Sequence, residues 1–335
     1  MPSIKVKSST GKTEFKYTIS TPTNPNAKSI DKNLPTILFI HAVYLSRDVY
    51  HLQFADPRVR RFNLVAFDLR AHGETSGDKL PQGYGQIEAA EDVTKLMDAL
   101  KLPACHIVGM SLGTIIALQM AISHPEKVAS LFLISPLGLE EPADIAAGRQ
   151  EIHDCWIEGF PDGKVDEAAL LDAVYGALQL AFSNKSSSLI TALVKTTYPM
   201  AKKNWGPKDF QTYRTATLDF FLNRTSHTKE TLSQIKVPVK LIHGLDDVAY
   251  PPEYTLEQEK LMKDAGVDVT LIKIPNAPHF VVVDYGVEMN QVLHDHVVGA
   301  VKTTVPPQPK DAVSPWDAIL RKNGWVPGDD SDEED

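Results

Sequence analysis

The sequence is short of the features that would direct a chain into a membrane, an oxidising compartment or a nucleic-acid complex. Only two cysteines occur in 335 residues. Cys105 lies inside an apolar run and Cys155 in a different segment, which suits reduced thiols better than a disulfide framework. No apolar stretch approaches the roughly 18 residues that a membrane-spanning helix needs. Met1 to Thr23 is polar and alternating, without the apolar stretch of a secretory signal, so a cytoplasmic protein is expected. Positive charge is also scarce. The formal net charge is −9, and six of the acidic residues behind it, Asp329, Asp330, Asp332, Glu333, Glu334 and Asp335, crowd the last seven positions. Residues 1–328 therefore carry only −3, with no basic footprint for nucleic acid, and the acidic end reads as a solvated, disordered tail. No phosphate-binding glycine string follows an apolar run, so no nucleotide cofactor is expected.

What is present is a large supply of core. With 43% hydrophobic and 23% charged residues, the chain reads as globular. Ser3 to Ser9 and Glu14 to Ser20 alternate around Thr10-Gly11-Lys12-Thr13, which predicts a hairpin. Beyond it, Thr36 to Ala42, Phe62 to Leu69, Cys105 to Met110, Val128 to Ser135, Val237 to Gly244 and Val269 to Ile274 are short, nearly continuous apolar runs. Such runs belong to strands buried on both faces of a parallel sheet. Helical patterns separate most of them, the clearest at Ile87 to Leu102 before Pro103. The expectation is an α/β fold with a doubly wound, mostly parallel sheet.

Between Ser135 and Val237 the alternation gives way to helix-like sequence rich in Ala, Leu and aromatics. The predicted organisation is a core over 1–135, a helical cap over 136–226, and the rest of the core over 227–302. A Pro-rich linker and short docking helix follow over 303–328, then the acidic tail over 329–335. In the docking helix Ser314-Pro315 supplies the start, Asn323-Gly324 the stop, and Trp316, Ile319 and Leu320 one apolar side.

Chemistry concentrates at Gly109-Met110-Ser111-Leu112-Gly113. A G-x-S-x-G string arises by accident in about one chain in ten of this length. Its position between a strand-like run and the helical pattern Thr114 to Ser123 is what gives it meaning, because a serine on so tight a turn needs neighbours without a Cβ. The bland alternative is a glycine-rich turn that merely joins strand to helix. A serine hydroxyl needs a base and a group to orient that base. His279, in the loop after the last predicted strand, is the candidate base. Asp246 and Asp247, after the strand ending at Gly244, are the candidate acids, and Asp247 is preferred because the loop to Pro251 leaves it room to turn toward His279. Oxyanion donors are expected at the backbone N–H of Leu112, at the helix start, and of Val43, after the strand from Thr36. Tyr44 is the alternative neighbour. The other histidines, His41, His72, His243, His294 and His296, read as structural, and no metal site is expected.

These residues resemble the α/β-hydrolase superfamily, in its branch of small-molecule esterases, lactonases and epoxide-hydrolase-like proteins. The marks are His41-Ala42 after a strand, Asp68-Leu69-Arg70-Ala71-His72-Gly73, the serine elbow, Gly244 to Asp247, and His279-Phe280. The resemblance covers about residues 30 to 302 and implies Ser111 as nucleophile, Asp247 as acid and His279 as base. Ala42 and Ala71 replace glycines that the family uses for unusual backbone angles. Serine at position 111 and Tyr44 in place of a proline argue against epoxide opening. The expected substrate is a small, largely apolar ester or lactone, with Tyr44, Met110, Trp156 and Phe280 as pocket residues. The same triad also serves carbon–carbon hydrolysis, lyase and acyl-transfer reactions, and the same fold serves as ligand receptor or pseudo-enzyme. Oligomeric state is not written in the chain.

Overall fold

The computed structural model describes residues 2–301 and 304–328. Among them one nine-stranded sheet is built from β1 (Ser3–Ser8), β2 (Gly11–Ser20), β3 (Thr36–Ile40), β4 (Asn63–Phe67), β5 (Ser76–Gly77), β6 (Cys105–Met110), β7 (Val128–Ile134), β8 (Val239–Gly244) and β9 (Val269–Ile274). The spatial order is β1-β2-β4-β3-β6-β7-β8-β9, with β5 paired to β2. The strands from β4 across to β9 are parallel, whereas the β1–β2 hairpin joins antiparallel at the β4 edge. The fold is the doubly wound α/β arrangement that the apolar runs predict. Every residue of β3, β4 and β6 is buried. Period-two alternation sends Leu38, Ile40, Val65, Phe67 and Ile107 into one core layer, and Ile37, Phe39, Leu64, Ala66 and Val108 into the other.

The helices, in chain order among the described residues, are α1 (His51–Ala55), α2 (Gln86–Leu100), α3 (Leu112–Ser123), α4 (Ala143–Glu158), α5 (Glu167–Phe182) and α6 (Ser188–Asn204). They continue as α7 (Phe210–Arg214), α8 (Phe220–Leu222), α9 (Lys229–Leu232), α10 (Pro252–Asp264), α11 (Gly286–Ala300) and α12 (Asp317–Lys322). Helices α4 to α8 occupy the stretch between β7 and β8 where the sheet pattern lapses, and they hold an apolar cluster of their own around Trp156, Leu170, Trp205 and Tyr213.

Element ends differ from the sequence reading for local reasons. Strand β3 stops at Ile40 rather than Ala42, because from His41 the chain turns and the imidazole bonds its own loop. Strand β8 begins at Val239 rather than Val237, directly after Pro238, which has no N–H to give a ladder. Helix α2 closes at Leu100, where Lys101 takes a left-handed φ of 54° and Leu102 N–H bonds back to Met97 O at 2.9 Å. The short strand β5 has no counterpart in the sequence reading. Trp316, which caps the start of α12, and Leu320 within it are buried, Trp316 against Phe54 with ring centroids 4.7 Å apart. Ile319, expected on the same side, is 37% exposed, since adjacent helical residues diverge by about 100°. The expected acidic tail lies outside the described residues.

Candidate active site

Strand order reverses between β3 and β6, with β4 on one side and β7 on the other. Ligand sites of open α/β sheets lie at the C-terminal strand ends beside such a switch point, and Ser111 stands there. Its φ of 50° and ψ of −112° place it on a strained turn between β6 and α3. Two glycines make that turn possible. A Cβ on Gly109 would lie 2.3 Å from Gly113 O, and one on Gly113 would lie 2.1 Å from Ile40 O. Helix α3 therefore presses on β6 and β3 at distances only glycine allows, and the backbone strain is concentrated at Ser111.

Residues 168 positions apart meet at this edge, where the Ser111 hydroxyl donates to His279 Nε2 at 2.9 Å. The other ring nitrogen, Nδ1, donates to Asp247 Oδ2 at 2.5 Å. That bond assigns the proton to Nδ1 and leaves the Nε2 lone pair facing the serine. Asp247 Oδ1 accepts from the N–H groups of Ala249 at 3.0 Å and Tyr250 at 2.9 Å, which fixes the carboxylate. Its neighbour Asp246 instead turns outward, 3.3 Å from Lys185. All three side chains are buried. The histidine loop is seated by Gly244, where a Cβ would lie 2.4 Å from the carbonyls of both Ala277 and Pro278. Ser135 Oγ also donates to the His279 carbonyl. Neither Gly244 nor Ser135 was singled out from sequence as positioning the base. A glycine ending a predicted strand was the only available signal.

Val43 and Leu112, the expected oxyanion donors, flank Ser111 from the ends of β3 and β6. Among the described residues neither N–H donates to a backbone carbonyl. The unusual backbone angle of the Val43 loop sits at Tyr44, with φ of 67°, and not at Ala42 as the glycine replacement suggested. At the other replaced position, Ala71 does adopt a positive φ of 65°. His41 and His72 brace these loops. His41 Nδ1–H donates to Ala42 O at 2.7 Å while Nε2 accepts from Leu69 N–H at 2.9 Å, and His72 Nδ1–H donates to Arg70 O at 3.0 Å. Burial pushes His41 down to about 4 and His72 to about 3, so both are neutral scaffolding.

Over the sheet edge lies a cleft of about 580 Å³, open solvent included, with an almost wholly apolar lining. Tyr44, Phe280, Trp156, Trp205, Val174 and Leu178 belong to its walls. Val174 and Leu178 border this space while packing, partly buried, against the neighbouring apolar clusters, and Leu170 of the same helix is fully buried. Met110, expected as a pocket residue, does not line it; period-two alternation turns that side chain into the core layer of Ile37 and Val108. Helix α5 ends against the loops that carry Asp247 and His279: Phe280 N–H donates to Ala181 O at 2.9 Å, and Ser183 Oγ donates to Asp246 O at 2.6 Å.

Sequence reading also missed a buried charged group beside the triad. The Tyr250 ring lies against His279, centroids 5.2 Å apart, and its hydroxyl meets Arg149 Nη2 at 2.9 Å and Glu141 Oε1 at 2.9 Å. Arg149 interrupts the buried stripe Ile145, Ile152 and Trp156 of α4, and a charge inside an apolar stripe is the signal that could have revealed it.

The parallel sheet, the strained serine elbow and the acid and base loops after β8 and β9 define one class, and the chain belongs to the α/β hydrolase fold family, whose profile matches residues 35–284. The chain is 35% identical over 103 residues to the dihydrolipoyllysine-residue acetyltransferase component of the acetoin cleaving system of Cupriavidus necator, a match covering 31% of this chain and 27% of that one. It spans about a quarter of the length of the first curated relatives it matches. Among solved structures, a thermophilic esterase from Thermogutta terrifontis superposes with a TM-score of 0.68 at 16% identity, covering 90% of this chain and 99% of that one. The enol-lactonase of Burkholderia xenovorans gives 0.64 at 19%, covering 89% and 100%. Among the described residues no group of three or more side chains could hold a metal ion, and no helix is long and apolar enough to cross a membrane.

Proposed function

We propose that the chain is a serine hydrolase that cleaves a carboxylic ester or lactone of a small, largely apolar molecule through an acyl-enzyme. The observation that carries this reading is the unbroken chain from the Ser111 hydroxyl through His279 to Asp247, at 2.9 and 2.5 Å. His279 Nε2 takes the hydroxyl proton as Ser111 Oγ attacks the carbonyl carbon. Asp247 keeps the second proton on Nδ1 and stabilises the imidazolium that forms. The N–H groups of Val43 and Leu112 receive the oxyanion, the latter aided by the start of α3; one such donor is worth about 2.7 to 4 kcal/mol in the transition state. The imidazolium then protonates the departing alkoxide, and water, activated by the same ring, releases the acid. No cofactor is required, and the apolar cleft supplies binding for the body of the substrate.

The test is labelling with a fluorophosphonate, beside turnover of an ester and lactone panel with diketone and cyanohydrin substrates for comparison. One equivalent of adduct on Ser111, and ester turnover abolished in Ser111→Ala, are the expected results. An unlabelled Ser111, or a Ser111→Ala variant as active as the parent, ends the reading. Cleavage confined to the diketone or cyanohydrin would move the same triad to carbon–carbon hydrolysis or lyase chemistry.

A further inference from the structure

Tyr250 is buried and touches both Asp247 and His279. Its backbone N–H donates to Asp247 Oδ1 at 2.9 Å, and its ring lies against the His279 imidazole, with centroids 5.2 Å apart and planes inclined by 32°. Those contacts alone would leave the ring able to turn about its side-chain torsions. Its far end is held as well. The hydroxyl donates to Glu141, 2.9 Å from Oε1 and 3.0 Å from Oε2, and accepts from Arg149 Nη2 at 2.9 Å, so its donor and an acceptor site are both in use.

The partners of that hydroxyl belong to the stretch between β7 and β8, and they are locked in turn. Arg149 stands in α4, with Nε donating to Glu141 Oε1 at 2.6 Å and the Phe221 ring centroid 3.6 Å from its central guanidinium carbon. Arg224 meets the second oxygen of Glu141 and donates to the carbonyls of Gly138 at 2.8 Å and Phe221 at 3.1 Å. Burial would raise the pKa of Glu141, and the two arginines outweigh it, holding the group below the ordinary glutamate value. It is therefore ionised at neutral pH, and the hydrogen bond from Tyr250 is charge-assisted. A buried ion cluster adds little net stability over apolar packing of similar volume, but any shift of one member leaves a buried charge unpaired. Such a cluster therefore resists rearrangement.

We propose that Tyr250 is a positioning residue for His279: Glu141 and Arg149 of the insertion clamp its hydroxyl, and the clamped ring holds the imidazole in line between Asp247 and Ser111. This inference rests on the hydrolase reading above and adds that the insertion helps to assemble the triad besides lining the cleft. In that reading the imidazole serves the serine, the departing alkoxide and the water from one place. A ring against its face limits tilting out of line, and a misplacement of about 1 Å can cost about 10²-fold in rate. None of Tyr250, Glu141 and Arg149 lines the cleft. The effect of the clamp should therefore fall on kcat and spare KM.

The test measures kcat and KM for 4-nitrophenyl butyrate, the urea midpoint, and the downfield proton resonance of His279 Nδ1–H. Tyr250→Phe keeps the ring but releases its far end, and should lower kcat by about three- to tenfold with KM within about twofold of the parent. Arg149→Met should do the same, and the double variant should be little slower than the slower single, because both changes break one link. Tyr250→Leu removes the ring and should lower kcat by about 10- to 100-fold. In each variant the Nδ1–H resonance should broaden as exchange with water quickens. Parent kcat in Tyr250→Leu overturns the proposal, even with a lowered urea midpoint, as does a loss confined to KM or losses that multiply in the double variant. If Tyr250→Leu does not fold, Tyr250→Phe decides by the same criteria. A parent that takes no fluorophosphonate and cleaves no ester, with the resonance broadened in Tyr250→Phe, would sink the hydrolase reading and keep the clamp. Normal labelling, with kcat and resonance unmoved in the variants, would do the reverse.

Discussion

Around Ser111 the backbone leaves no room for another atom, whereas around Trp156 the side chains border an apolar cleft. The sheet edge sets positions through main-chain contacts that only glycine permits, at Gly109, Gly113 and Gly244. The helical insertion shapes its cleft with side chains that touch one another ring to ring, such as Trp156 with Trp205 at 6.1 Å and Tyr44 with Trp205 at 6.2 Å. The first region holds Ser111, Asp247 and His279 to a fixed geometry and tolerates almost no change. The second sets what can enter and can be redrawn one side chain at a time.

The largest effect expected falls on the sheet edge. Ser111→Ala should lower kcat by about 10⁴-fold or more, because the remaining residues of a triad accomplish little alone. Its urea midpoint should stay close to that of the parent, since alanine fits the same turn. A variant that kept a tenth of the parent rate would show that the elbow does not carry the reaction.

Two glycines sharpen the comparison next. Gly113→Ala would place a methyl group 2.1 Å from Ile40 O and should destabilise by about 3 kcal/mol or more, given that overpacking a fixed backbone contact has no flexible side chain to yield. Gly148→Ala, inside α4 with nothing within 4 Å of the added atom, should instead stabilise by about 0.5 to 1 kcal/mol through helix propensity. Denaturant titration of both variants reads the contrast directly. Similar losses in the two would erase the distinction between the regions.

The response to acid should also divide them. Burial lowers His41, His51, His106 and His296 to about 4 and His72 to about 3, and all five lie outside the insertion. Unfolding returns them to an ordinary value near 6.5. Below that pH the unfolded chain binds protons that the folded one refuses, so stability is full above about 6.5 and is lost as pH falls toward 4 and then 3, by at most roughly 3 to 5 kcal/mol for each histidine. Asp48, raised to about 6 by burial, and Asp68, also raised by burial, act in the opposite sense, with stability lost as pH rises from their unfolded values, but they are outnumbered by the lowered histidines. Replacing His72 with Asn should flatten the decline of the urea midpoint between pH 6.5 and 3. An unchanged slope would mean that the sheet edge is not the source of acid lability.

The same division explains what the sequence could tell. Strand β6 was legible to its last residue, and Ser111, Asp247 and His279 could be placed, because a parallel sheet writes its pattern locally as a buried run followed by glycine and a loop. The insertion has no such grammar. Leu170 and Leu178 stand on the same apolar pattern of α5, yet one is buried against Gly159 and the other faces the cleft. That outcome depends on where α6 and the segment from α7 to α8 lie, which no local spacing encodes. Arg149 was passed over for the same reason: its partners Glu141 and Tyr250 lie 109 positions apart in the sequence. At Ala42 the expected strain moved two residues, because the positive φ belongs to whichever residue the turn selects, and here that is Tyr44.

The smallest effect concerns the seam between the regions. Helix α5 is tied to the base loop by Phe280 N–H to Ala181 O at 2.9 Å, and to the acid loop by Ser183 Oγ to Asp246 O at 2.6 Å. Only the second tie depends on a side chain. Ser183→Ala removes it and leaves the main-chain tie in place, so stability should fall by about 1 kcal/mol or less. The catalytic consequence should exceed the structural one. Asp246 precedes the carboxylate that orients His279, and a small displacement of that loop lengthens a hydrogen bond at the reacting centre. A drop in kcat of about two- to fivefold at unchanged urea midpoint is the expected signature. A fall in stability as large as that of Gly113→Ala, with kcat intact, would place Ser183 in the scaffold and leave the insertion uncoupled from the chemistry beneath it.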